Sequence, residues 1–226
     1  WLNEGNLVME GTAKDVVEKY SRGMHANTIV EEKTRTPALE PKEKVEWTDE
    51  RVFTLDKTTL RNEIQVFKFE NQSSIGSEEK HVEITDAFFL NQNREKRLSG
   101  FVGGKMTTLV IRCKAIDSIE MLIIGFSFKD RLGQVLFGDN TFLTYENDPF
   151  SASMGEYFFA NFSFIMPTLA AGTYSLDVAV ARGTQENHET LQWIYDALTI
   201  ESLTSSHTLG LVGIPIAEIE LGLLNS

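Results

Sequence analysis

The sequence predicts an antiparallel β-sandwich, and three observations carry that expectation. From about Arg61 onward apolar residues recur with period two, turn residues punctuate the runs at short intervals, and no amphipathic helical run intervenes. Ile64 and Val66 alternate with Gln65 and Phe67, Val82 and Ile84 with Glu83 and Thr85, and Leu109, Ile111 and Cys113 with Val110, Arg112 and Lys114. Further runs cover Met121 to Phe128, Gln134 to Phe137, Tyr157 to Ile165, Tyr174 to Val180 and Leu191 to Ile200. Gly103-Gly104, Asp130 to Gly133, Asn147-Asp148-Pro149, Ala171-Gly172 and Arg182-Gly183 supply the turns. Residues 131–180 hold ten aromatic side chains against six charged ones, which marks them as the region where two sheets meet.

The elements ahead of this pattern differ in kind. Trp1-Leu2 and Leu7 to Met9 flank a Gly-containing turn and read as a hairpin. Thr12 is placed as a helix N-cap with Asp15 in the capping-box position. Val16, Val17 and Tyr20 share one helical face, and Gly23 is suited to the residue after the helix. A hairpin and one helix cannot bury a core, so this stretch is expected to pack on something else. The chain starts at Trp1, inside an apparent strand, which reads as a fragment or processed piece. Glu31 to Lys57 has 14 charged residues in 27, of both signs, with Pro37 and Pro41, which is a linker composition. Within it Val45 and Trp47 suggest a short strand. After the sandwich, a polar break at Thr204 to Thr208 precedes an apolar tail, Leu209 to Ile216, read either as one more edge strand or as a strand given to another subunit.

Composition excludes several functions. The 226 residues carry 21 Lys+Arg against 33 Asp+Glu, a net charge of −12, with no basic block to grip nucleic acid or anionic lipid. No apolar run approaches the roughly 20 residues of a membrane-spanning helix. A single cysteine, Cys113, cannot form an internal disulfide, and a reducing cytoplasm follows as the expected compartment. One Cys and four His give no nucleophile or metal signature, and His188 and His207 read as loop residues. Glu146, Asp148 and Glu156 read as turn and strand-end carboxylates rather than a glycosidase pair, and Asp139, Asn140, Glu146 and Asp148 lack regular calcium-ligand spacing. Gly103-Gly104-Lys105 precedes a strand and reads as a hairpin turn, not a phosphate loop. No cofactor or metal is expected.

Two groups of residues resemble a known family. WLNEGNLVMEGTAKDVVEKY, residues 1–20, resembles the last hairpin and helix of an ABC-type ATPase domain. GFSFKDRLGQVLFGDNT, Gly125 to Thr141, and LAAGTYSLDVAVARG, Leu169 to Gly183, with the Phe-rich strand between them, resemble the C-terminal domain of Wzt-type ATPase subunits that export O-antigen polysaccharide. The resemblance implies an all-β, immunoglobulin-like antiparallel β-sandwich over residues 59–226, preceded by a remnant of an α/β ATPase domain at 1–23 and a charged linker at 24–58. It further implies binding of the non-reducing terminus of a completed O-antigen polysaccharide, coupling chain termination to export. The setting would be the cytoplasmic side of the inner membrane of a Gram-negative bacterium, with a membrane-spanning exporter subunit as partner through the ATPase domain. Family members pair as homodimers through an exchanged C-terminal strand. The ATPase motifs lie outside this sequence, so the chain is expected to bind glycan without being an enzyme. The alternatives are an immunoglobulin-like protein-interaction or dimerisation domain that regulates the ATPase, and a glycoside hydrolase domain.

Sugar recognition calls for an aromatic face ringed by hydrogen-bonding groups. Strand parity sets Leu109, Ile111, Cys113 and Ala115 inward and Arg112 and Lys114 outward; Phe158, Ala160, Phe162 and Phe164 inward and Tyr157, Asn161 and Ser163 outward; Tyr174, Leu176, Val178 and Val180 inward and Asp177 outward. In an immunoglobulin-like order these strands can be neighbours, and Arg112, Tyr157, Asn161 and Asp177 then form the expected carbohydrate site. Trp193 and Tyr195 are further candidates, but their spacing with Leu191 assigns both to the core.

Overall fold

A computed structural model of the chain describes residues 2–3, 6–12, 16, 49–55, 57–58, 61–71, 73–76, 79–203, 208–216 and 218–223. Leu2–Asn3 (β1) pairs antiparallel with Asn6–Leu7 (β2), as the sequence predicts. The Val16 amide donates to the Thr12 carbonyl at 3.0 Å, the first turn of the expected helix. Gly23, Val45 and Trp47 lie outside the described residues. The charged segment contains a helical turn, Val52–Leu55 (α1).

The sandwich runs from Glu63–Val66 (β3) through Ser73–Gly76 (β4), Val82–Leu90 (β5), Arg97–Leu98 (β6), Gly100–Val102 (β7), Met106–Ala115 (β8) and Leu122–Asp130 (β9). Val135–Asn140 (β10), the turn of helix Phe142–Tyr145 (α2), Tyr157–Ile165 (β11), Thr168–Leu169 (β12), Gly172–Gly183 (β13) and His188–Ser202 (β14) complete it. The larger sheet has the order β10-β9-β13-β14-β3-β7, with β4 also on β14; the smaller has β11-β8-β5-β6. All pairings are antiparallel. The architecture is the predicted all-β sandwich. Strands β4, β6 and β7 were not legible in the sequence: each spans four residues or fewer, too short for a period-two pattern to register.

The inward residues of the two sheets meet as expected. Ile84, Phe89, Leu109, Ile111 and Cys113 from the smaller sheet pack with Phe128, Leu176, Val178, Val180 and Ile194 from the larger in one buried cluster. A seam of aromatic rings joins the layers at one edge. Phe126 lies 5.0 Å from Phe162 and 5.8 Å from Phe164, and Phe128 stacks on Phe137 at 4.7 Å. Phe137, Phe162, Phe164 and Tyr174 bear out the expectation that the aromatic-rich region is where the sheets meet. Tyr157, which strand parity sets outward, and Phe159 are 73% and 64% exposed on the outer face of β11. Burial pushes the Cys113 thiol up to about 12, as befits a cysteine serving only as core packing.

Two polar devices lock the layers. The Gln192 side chain on β14 turns inward, where its Oε1 accepts the Ile84 amide of the other sheet at 2.7 Å. Buried Asn62 donates to the Leu169 carbonyl at 3.1 Å and to Ser202 Oγ at 2.8 Å and accepts the Leu169 amide at 2.9 Å, so both its N–H groups and its oxygen are engaged.

The apolar tail returns to its own chain. Val212–Gly213 (β15) pairs with β12 rather than joining either main sheet. Just beyond, the Ile216 amide donates to Asp49 Oδ2 at 3.1 Å, and Ile216 O accepts the Glu50 amide at 3.0 Å. Arg51 grips Asp49 through Nε and Nη2 at 3.0 and 2.8 Å and reaches the Ile214 carbonyl at 2.9 Å. Burial raises the Asp49 pKa, but the hydrogen bonds from Arg51 and Ile216 outweigh it and hold the carboxyl below its ordinary range. The end of the segment read as linker is thereby docked, because this charge cluster pairs internally and captures tail backbone.

Candidate functional site

The structure divides the four residues expected to bind sugar. Arg112, on β8, and Tyr157 and Asn161, on β11, share the outer face of the smaller sheet, with Tyr157 opposite Lys114 and Asn161 opposite Val110. Asp177 is on β13, between β9 and β14 in the larger sheet. The assumed neighbourhood of β11 and β13 fails because the two strands belong to opposite layers, so their outward faces point away from each other. Around Arg112 the smaller sheet is basic and aromatic. The guanidinium groups of Arg97 and Arg112 lie 4.5 and 4.9 Å from the centroid of the Phe88 ring, and Arg97 is paired with Asp86 at 2.7 Å. Lys114 Nζ stands 5.4 Å from the Tyr157 ring. On this face cations lie against aromatic rings, while Tyr157 and Phe159 stay exposed.

The larger sheet carries a groove of about 670 Å³ across the outer faces of β10, β9, β13 and β14. Its floor is made of small outward residues: Gly125 and Ser127 on β9, Ala179 and Ala181 on β13. Glycine is required at Gly138 on β10, where an added Cβ would come within 2.5 Å of the Phe126 carbonyl; its absence lets the edge strand lie close against β9. Trp193 of β14 lines the other side, opposite Ala179. At one end the hairpin between β13 and β14 brings Gln185, Glu186 and His188 to the rim, and Asn140 donates to Gln185 Oε1 at 3.2 Å, tying that hairpin to the edge strand.

Trp193 and Tyr195 are therefore not core residues. Between Val180 and Ala181 the register with β14 shifts, so that Val180 faces Gln192 and Ala181 faces Thr190. The extra residue is Leu191, which joins the core together with the inward Gln192. Counting by twos from Leu191 therefore placed Trp193 on the wrong face. The sequence did hold a signal for the groove: Gly125, Ser127, Ala179 and Ala181 are small residues at alternate outward positions of strands that the structure makes neighbours.

A second irregularity presents the aromatic pair. Leu176 faces Leu198 and Val178 faces Ile194, so Asp177 stands opposite three residues of β14, Tyr195 to Ala197. Asp196 is left-handed at φ 52°, a conformation that Asp tolerates better than most residues. Asp177, 2% exposed, fills the gap. Its carboxylate accepts the Asp196 amide at 2.8 Å and Trp193 Nε1 at 3.3 Å, and pairs with Lys129 Nζ at 2.7 Å. Lys129 also lies 3.6 Å from Asp196 and 5.4 Å from the Tyr195 ring, itself 5.8 Å from Trp193. Burial pushes the Asp177 pKa up, and the Lys129 charge only partly restrains it. Of the four expected site residues, Asp177 alone lines the groove, and its oxygens are engaged from within. Its part there is to fix the bulge and the tilt of the indole.

A β-sandwich with a concave, aromatic-walled groove across one outer sheet face is the class of protein these features define. The chain belongs to the Wzt C-terminal domain family, which it matches over residues 73–214. Among solved structures it is similar to one described as the crystal structure of the C-terminal domain of wzt, at 20% identity and a TM-score of 0.54, covering 68% of this chain and 92% of that one. No match to a curated protein sequence was found. Family membership ties the domain to ABC-transporter export of O-antigen. Among the described residues no helix is long and apolar enough to cross a membrane.

Proposed function

We propose that the sandwich binds the non-reducing end of a completed O-antigen polysaccharide in the groove of the larger sheet and so couples chain termination to export. The supporting observation is the groove itself, where Trp193 offers an indole face above a floor of small residues and Asn140, Gln185, His188 and Thr190 stand at its margins. A pyranose presents one apolar ring face and a rim of hydroxyls, and this arrangement offers a counterpart to each. In this reading the domain performs no chemistry. The ATPase that it serves is joined on its N-terminal side and sits on the cytoplasmic face of the inner membrane, beside the membrane-spanning exporter subunit. Residues 1–20 support that connection by their likeness to the end of such an ATPase. Two copies pair through the end of the tail beyond Ile216, where Leu221 and Leu223 are 99% and 98% exposed in the single chain.

Calorimetric titration of the chain with the host's own purified O-antigen tests the reading. Saturable binding that is weakened by Trp193→Ala is the expected result. Absence of binding, together with dimerisation or capture of the ATPase, would favour a protein-interaction domain instead.

A further inference from the structure

The charges around the groove restrict what it can hold. Among the described residues its lining includes three carboxylates, Asp139, Asp177 and Glu186, and neither Lys nor Arg. Lys129, which pairs with the lining residue Asp177, is spent: its side chain is 6% exposed and its ammonium is held at 2.7 Å by that carboxylate. Arg182, on the strand that supplies the floor, is committed to Glu189 at 2.7 Å. With Asp177 balanced by Lys129, the exposed Asp139 is the charge that bears on the groove, and the whole chain carries a net charge of −12. An anion entering the groove would lose hydration and meet like charge with no guanidinium or ammonium to receive it. The rest of the lining is apolar, from Ile123, Val135, Ala179, Ala181 and Trp193, or carries the hydroxyl, amide and imidazole groups of Ser127, Thr190, Asn140, Gln185 and His188. The cations that could receive an acidic group are on the opposite layer, where Arg97 and Arg112 flank Phe88.

We infer that the groove selects an uncharged glycan end, a neutral hexose or deoxyhexose residue with an apolar edge, and rejects ends that carry a uronate or phosphate. The inference rests on the reading of this groove as a glycan site and adds the chemical class of its ligand. Asp139 acts as the gatekeeping charge at the open margin. It is exposed, and its Oδ1 accepts the Asn140 amide at 2.8 Å, a bond that asparagine in its place can also make.

The test is a printed array of oligosaccharides ending in neutral hexoses, deoxyhexoses, uronic acids and hexose 6-phosphates, probed with the full chain. It is followed by titration of the hits at 50 and 500 mM NaCl. Hits confined to neutral ends, with affinity changing less than about twofold between the two salt concentrations, are expected. Gln185→Trp, an exposed hairpin substitution that obstructs the groove without touching the core, should reduce these affinities at least tenfold. Asp139→Asn should admit uronate-terminated probes that the unaltered chain rejects. Uronate or phosphate ends that bind the unaltered chain and are lost in Gln185→Trp would overturn the inference while leaving the groove a glycan site. Binding lost in Arg112→Ala but kept in Gln185→Trp would move recognition to the smaller sheet. An array without any hit would remove the glycan reading and this inference together.

Discussion

The two outer sheet faces of the sandwich use similar residues to opposite ends. On the smaller sheet, Arg97 and Arg112 lie over Phe88 and Lys114 over Tyr157, so that cations and rings engage one another. On the larger sheet, small residues at alternate positions leave a hollow, and two departures from regular pairing turn Trp193 to its side with Tyr195 beside it. Aromatic and charged residues on a sheet thus do not by themselves make a binding site; the difference lies in what is missing between them. A face becomes concave where its central strands carry Gly, Ala and Ser and a bulged neighbour carries the large rings.

The largest expected effect separates the faces by stability. Asp177→Ala leaves Lys129 buried beside Asp196 alone and removes the acceptor of the Trp193 indole, so urea denaturation should show a loss of about 3 to 5 kcal/mol. A loss under about 1 kcal/mol would mean that the buried pair does not hold the bulge. Next in size is affinity: Trp193→Ala should weaken glycan binding by about 1 to 3 kcal/mol, measured by calorimetry, with a folded far-ultraviolet spectrum retained. Equal losses from Trp193→Ala and Tyr157→Ala would erase the contrast between the faces.

A subtler effect concerns pH. The folded-state pKa of Asp177 lies above 3.8, so the native state takes up this proton first as pH falls, and stability gained from that site accrues between its folded pKa and 3.8. The folded-state pKa of Asp49 lies below 3.8, so its contribution is full above 3.8 and is lost as pH falls through the folded value. Denaturation across this range should show Asp177→Asn removing the rise on the upper side and Asp49→Asn removing the fall on the lower. The smallest effect should come from Arg112→Ala, which removes a cation lying over an exposed sheet face. Its stability and its glycan affinity should both stay within about 0.5 kcal/mol of the parent.

The sheets were legible in the sequence because their long strands alternate without interruption, as in Leu109 to Ala115, where parity alone assigned every side chain to the correct face. Parity also placed Arg112, Tyr157, Asn161 and Asp177 outward correctly. What it lacked was the layer to which each strand belongs, a long-range property that local alternation does not encode. Trp193 escaped for a different reason. The extra residue at Leu191 leaves no trace in composition, and one added residue inverts every facing beyond it. The docking of Asp49 was hidden because a buried carboxylate and a solvated one read alike in a charged segment, until the Ile216 amide and the Arg51 fork are seen to converge on it.

That convergence has a mechanical consequence. The hydrogen bonds between Glu50 and Ile216 and between Asp49 and Ile216 bring together points 167 residues apart or nearly so, one just before the sandwich and one just after it. Tension applied across these two points is met by the Asp49–Arg51 knot before it reaches any strand of the core. A tug on the tail therefore passes directly into the segment that precedes the sandwich, and the domain between them travels as an unloaded passenger until the knot gives way.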